Sequence, residues 1–146
     1  MKRTGYKEIR VIGKGSQGVV TLVKDEEHHN LCVLKRVSLE LLNDNEKAAA
    51  LQECNLLKDL HHANIVEYIR SFIDNDGDDG VPTLNLVMQY CAGGDLASHI
   101  KNQARRKVHY EEHQILDWFS QMALAVAYVH NRHILHRDLK VEVILL

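Results

Sequence analysis

The sequence predicts an α+β fold, with a strand-rich first half and a helical second half that meet near Tyr90. Three observations predict it. Runs of β-branched and aromatic residues recur between polar turns as far as Gln89. One stretch among them, from about Asn45 to Leu60, is rich instead in Ala, Leu, Glu and Lys, which favour helix. After Tyr90-Cys91-Ala92-Gly93-Gly94, where glycines end the strand character, the pattern is helical to Asn131.

The elements follow in order. Tyr6 to Ile12 reads as a first strand, with β propensity from Ile9, Val11 and Ile12. A glycine-rich turn leads to a second strand near Val19 to Lys24, and the polar turn Asp25 to Asn30 leads to a third over Leu31 to Ser38. Asn45 is placed to cap the helix that runs to about Leu60. Val66 to Ile73 and Thr83 to Gln89 read as two further strands, joined by the acidic hairpin loop Asp74 to Gly80. A short polar helix is expected from Asp95 to about Ala104. A second helix, Ile115 to Val129, is apolar almost all round after Trp118, so it needs partners on every side. A small bundle would supply them, but the rest of the chain offers few candidates.

Composition narrows the function classes. A chain of 146 residues suggests one domain, large enough to bury a core. A net charge of −2 argues against nucleic-acid binding, because no basic excess exists to neutralise phosphates. Cys32, Cys54 and Cys91 are too scattered for a disulfide framework and point to a reducing compartment: cytoplasm, nucleus or cytoskeleton. No signal peptide is visible, and no apolar run approaches the ~18 residues of a membrane span. No repeat is evident. The ten histidines show no Cys/His spacing of a zinc site, and the acidic loop lacks the terminal bidentate Glu of a calcium loop, so no metal site is expected from these residues.

Three constellations carry chemistry. Gly13-Lys14-Gly15-Ser16-Gln17-Gly18-Val19-Val20 fits G-x-G-x-x-G-x-V. A dinucleotide site would need a helix straight after the glycines; here strand-like residues follow, which favours a flap over a nucleotide. Lys35, in Cys32-Val33-Leu34-Lys35, can hold phosphates as a point charge, and Glu53, midway along the predicted helix near Leu56, Leu57 and Leu60, can fix its ammonium. Either alone also fits a solvated surface charge; their joint order after the glycine loop favours the functional reading. The last twelve residues contain His136-Arg137-Asp138-Leu139-Lys140. There Asp138 can accept the proton of a substrate hydroxyl, and Lys140 can steady a transferring phosphate.

Together these residues resemble the first half of a protein kinase domain, and more narrowly the NIMA-related (Nek) serine/threonine kinases. The resemblance covers nearly the whole chain. Its most telling stretches are Leu86 to Leu96, Glu112 to Phe119, His62 to Val66 and Ile134 to Lys140, with Val33 where many other kinases carry Ala. It implies a protein-kinase-like fold: an N-terminal lobe over 1–88 of five antiparallel strands plus the helix the family calls αC, a hinge over 89–94, and the first helices of the C-terminal lobe over 95–146, ending in the catalytic loop. It implies ATP as cofactor and protein Ser/Thr hydroxyls as substrate, with transfer of the γ-phosphoryl group. By position, Ile12, Val20, Val33 and Leu145 would line the adenine site, and Gly13, Lys14, Gly15, Ser16, Gln17, Gly18 and Val19 would cover the phosphates. Lys35 and Glu53 would form the phosphate-binding ion pair, Met88 would be the gatekeeper, and the backbone of Gln89 and Cys91 would bond adenine. Asp138 would be the catalytic base, beside Lys140.

Two departures stand against that pattern. Val143 fills the position of an Asn that ligates Mg²⁺, and an isopropyl group offers no oxygen to a hard cation. The sequence also ends before any D-F-G, so Mg²⁺, expected for the family, lacks its ligands here. The expectation is an incomplete, inactive catalytic domain whose bare apolar helix drives self-association. The rival readings are a pseudokinase-like fragment that binds nucleotide or a partner, and a truncated product without a stable fold.

Overall fold

Alternating apolar residues build one five-stranded antiparallel sheet in this computed structural model, which describes residues 5–15, 18–40, 42–75 and 80–146. Strands β1 (Tyr6–Gly15), β2 (Gly18–Asp25) and β3 (Leu31–Ser38) are neighbours in chain and sheet; β5 (Thr83–Gln89) pairs with β3, and β4 (Tyr68–Asp74) forms the far edge. Side chains alternate between faces along each strand, so the register decides which residues meet. Val23 pairs with Cys32 and Leu34 with Val87, and these four form one buried cluster. Tyr6 and Phe72, from opposite edge strands, both pack on it, as the twist of an antiparallel sheet allows.

The opposite face carries Val20, Val33, Lys35 and Val37, with Leu84, Leu86 and Met88 across from the last three. Helix α1 (Asp44–Lys58) covers part of it: Cys54 is buried with Leu39, Leu84 and Leu86, flanked by Ala50, Leu57 and Met88. Each fully buried leucine there contributes roughly 1.5–3 kcal/mol.

The helix start corrects the sequence reading. The cap is Asn43, not Asn45: Asn43 Oδ1 accepts from Glu46 N at 3.0 Å, and Glu46 Oε2 accepts from Asn43 N at 2.8 Å. Asn45 lies inside the first turn, where its side chain cannot reach those donors. β1 runs on through Gly15, and Val66 and Glu67 precede β4 rather than open it. The polar turn after β2 is held by Asp25, whose Oδ1 accepts from the N–H groups of Glu27 and His28 at 2.8 and 3.1 Å. Of the acidic loop, 76–79 lie outside the described residues.

By its contacts the chain divides into two compact units: the described residues to His61 with Val66–Tyr90, and His62–Ile65 with Cys91–Leu146. One cut follows Tyr90, and His62–Ile65 goes with the later unit. The reason is local: Asn64 Nδ2 donates to Gln121 Oε1 at 2.9 Å, and the His62 ring lies 4.9 Å from that of Tyr128.

In the second unit, α2 (Leu96–Arg106) starts at Asp95, whose carboxylate accepts from the N–H and hydroxyl of Ser98, both at 2.7 Å. The two expected helices, Asp95 to about Ala104 and Ile115 to Val129, both occur: Lys107 turns left-handed at φ 56° and ends α2, and α3 spans Glu112–His130, longer at each end than its apolar run. The last residues pair back on the start of α2: Leu96 N donates to Ile144 O, and Gly93 and Leu146 each bond through their N–H groups at 2.9–3.0 Å to Leu146 O and Gly94 O respectively. A Cβ on Gly93 would lie 2.3 Å from Leu146 O, so this close approach requires glycine. No residue of α3 is fully buried, and Ile115, Leu116, Phe119 and Leu124 are each at least half exposed. Among the described residues no helix is long and apolar enough to cross a membrane.

Candidate active site

Lys35 sits mid-strand in β3, opposite Val20 on one side and Leu86 on the other. Its stem therefore lies over apolar neighbours while its ammonium reaches α1, where Nζ is 3.0 Å from Glu53 Oε1. The lysine side chain is 16% exposed and the glutamate 52%, so one partner is held and the other is wet. A half-solvated pair of this kind adds only about 0–1 kcal/mol to stability. Its consequence is placement: the ammonium is fixed on the face that also carries Val20, Val33 and Met88. Glu53 acts on its neighbour too. The Cys54 thiol is pushed up by burial first and by the Glu53 charge second.

The glycine hairpin flanks this face. Gly13 pairs with Val20, Lys14 with Val19, and Gly15 with Gly18; Ser16 and Gln17 lie outside the described residues. The three glycines are not equivalent. Gly18 has φ +113°, and a Cβ there would sit 1.9 Å from Arg36 O, so the fold itself demands glycine. A Cβ on Gly13 would make ordinary contact with Val20 at 3.5 Å, and at Gly15 nothing lies within 4 Å among the described residues. Neither needs positive φ. Internal packing does not account for the missing side chains at 13 and 15, whereas the close approach of a ligand would.

The remaining first-unit positions are mixed. Ile12 is partly exposed, Met88 half-buried. Gln89 N–H donates to Glu67 O at 2.9 Å, so it is already engaged within the sheet. Arg36, which sequence reading passed over, pairs its guanidinium with Glu8 of β1. Opposite charges 28 residues apart become partners only once the register is known.

In the second unit, Cys91 is half-buried, and burial pushes its thiol up. Leu145 is partly exposed and bridges to Asp95. Lys140 Nζ lies 2.9 Å from Asp138 Oδ2, with both side chains at least half exposed. The hydrogen bond and charge of Asp138 hold the lysine above its ordinary value. Asp138 N donates to His136 Nδ1 at 3.3 Å, which assigns that nitrogen as the unprotonated one. Between them Arg137 has φ 64°, a left-handed conformation uncommon outside glycine, which His29, Lys107 and His133 also adopt.

The donors for a divalent cation do not fit. The Val143 side chain carries no oxygen, its N–H closing a turn onto Lys140 O at 3.0 Å. Among the described residues no three His, Cys, Asp or Glu side chains gather as a metal cluster.

Residues 6–146 match the family model described as Protein kinase domain. Among curated proteins the chain is 42% identical over 142 residues to serine/threonine-protein kinase Nek4 of Mus musculus, covering 97% of this chain and 17% of that protein. It is 40% identical over 141 residues to Nek1 of Mus musculus, covering 97% and 11%. It is also 40% identical over 141 residues to Nek5 of Homo sapiens, covering 97% and 19%. The chain thus spans less than a fifth of the length of each of these relatives.

Proposed function

This chain belongs to the protein kinase family, among serine/threonine kinases of the Nek type, and from that premise we propose that it binds ATP on the Lys35 face, with residues laid out for the family reaction, transfer of the γ-phosphoryl group to protein Ser or Thr, which these residues alone carry out at a negligible level. The observation that carries this is the 3.0 Å Lys35–Glu53 pair on the sheet face flanked by a hairpin whose Gly13 and Gly15 the fold does not itself require.

Each residue has a definite task in this reading. The Lys35 ammonium holds two phosphates as a point charge, and Glu53 keeps it from swinging to solvent. The backbone of Gly13, Lys14, Gly15 and Gly18 lies over the phosphates. Ile12, Val20 and Val33 offer apolar contact to the base, Met88 limits its depth, and the Gln89 backbone bonds its edge. Bound ATP supplies the phosphoryl group. Asp138 takes the hydroxyl proton as the hydroxyl oxygen bonds to the γ-phosphorus, and the bond to the β–γ bridging oxygen breaks. Lys140 neutralises charge beside it.

For these 146 residues we place transfer at a negligible level, because Val143 removes a ligand for the ion that neutralises charge in such reactions. The chain is then a nucleotide-binding module. Millimolar ATP should raise its melting temperature, by about 2.7 kcal/mol of stabilisation at a hundredfold excess over Kd. Lys35→Met should abolish that shift, and no shift in the unaltered chain would refute the reading. Turnover at ordinary kinase rates, lost in Asp138→Asn, would refute the inactivity.

A further inference from the structure

Arg36 is one residue beyond Lys35 and points to the other face of β3. Two of its groups touch the glycine hairpin. Its carbonyl lies directly under Gly18, at the distance that forbids any side chain there. Its guanidinium crosses β2 to reach Glu8 Oε1 on β1. β1 and β2 are the two arms of the hairpin, so Arg36 grips both: β2 through its backbone and β1 through its side chain. Lys35 is carried on the same strand one residue earlier. From this we infer that Arg36 and Glu8 are positioning residues for the phosphate subsite: they set the height of the glycine hairpin above Lys35.

The ladder by itself leaves that height loose. β1 and β2 pair with register shifts between Glu8 and Arg10 and between Val11 and Gly13, so the hairpin arm is bulged twice. A bulge bends and twists its strand, so pairing alone leaves the angle of the arm underdetermined. The Glu8–Arg36 strut spans from the base of the bulged arm to the strand bearing Lys35. Both side chains are partly exposed, at 52% and 33%, so its worth is bounded by solvent screening. The expected effect is correspondingly small and specific: about a two- to fivefold change in phosphate-dependent affinity.

The inference rests on the nucleotide-binding reading but can be tested apart from it. Arg36→Gln, Glu8→Gln and the charge-swapped pair Glu8→Arg/Arg36→Glu are compared with the unaltered chain in low and high salt. Affinities for ATP and for adenosine are measured by calorimetry, and amide exchange is followed over 8–15 and 18–25. The expected result is two- to fivefold weaker ATP binding in each single variant, unchanged adenosine binding, partial recovery in the swapped pair and a smaller difference in high salt. Equal losses for ATP and adenosine, or no loss, would overturn the inference. If the unaltered chain binds no ATP, the nucleotide reading fails and exchange decides the strut. Faster exchange over 8–15 in the single variants, restored by the swap, supports it; unchanged exchange overturns it.

Discussion

Gly15 and Gly18 face each other across the hairpin, yet the structure assigns them opposite reasons for being glycine. Gly18→Ala puts a Cβ 1.9 Å from Arg36 O and 2.9 Å from Arg36 C, at φ +113°. The left-handed backbone costs an L-residue about 1–2 kcal/mol. Relieving the clash moves the start of β2 by more than an ångström from β3, straining the Val19–Arg36 pairing at a further cost of about 1–3 kcal/mol. The total is about 3 kcal/mol, which lowers the melting temperature by roughly 10 °C in a chain of this size. Gly15→Ala meets nothing within 4 Å among the described residues and needs no positive φ, so stability holds or rises by up to about 1 kcal/mol as the unfolded chain loses freedom. Its loss should appear in nucleotide binding instead. Thermal and urea unfolding by circular dichroism, with an ATP titration on each variant, separates the two. If Gly15→Ala loses as much stability as Gly18→Ala, or Gly18→Ala melts with the unaltered chain, the division of roles is wrong.

Further outcomes are expected. Asn43→Ala should cost about 0.5–2 kcal/mol by leaving the Glu46 N–H without its cap, whereas Asn45→Ala should be near neutral or stabilising; urea midpoints decide between them. Asp25 is held below the ordinary carboxylate value of 3.8, chiefly by the His28 N–H and then the Glu27 N–H. Asp95 is held below it by Ser98. A depressed folded pKa gives stability that is full above the unfolded value and lost as pH falls through the folded one. Unfolding below pH ~4 should therefore flatten in Asp25→Asn and Asp95→Asn, as acid titration of the melting temperature will read. The exposed Ile115, Leu116, Phe119 and Leu124 of α3 should make this chain associate as concentration rises. Sedimentation velocity of a Leu116→Glu/Phe119→Glu variant should show a smaller species, and identical profiles would count against it.

Some of this was readable in the chain. β3 and β5 occur with the expected bounds, because both are apolar on two faces and end in polar residues. The cap was readable and missed: Asn43 has Glu46 three residues on, the reciprocal pair of a capping box, while Asn45 has Ala48. The two later helices were also separable, because α2 is polar and α3 is not, although the break at Lys107 carries no glycine or proline to fix its position. Nothing local in the sequence marks His62 as a partner of α3; its ring contact with Tyr128 appears only in the fold.

Residue type and order alone determined the strand-then-helix plan, the side-chain chemistry on which the proposed phosphate site at the glycine run and Lys35 rests, and the missing oxygen at Val143. These follow from what each side chain can do wherever it lies. Only the tertiary structure decided that Glu53 meets Lys35, that Gly18 is demanded by the fold while Gly15 is free, and that Arg36 ties both hairpin arms to β3. Those depend on strand register, and register is set by cooperative burial of both sheet faces rather than by any local run of residues.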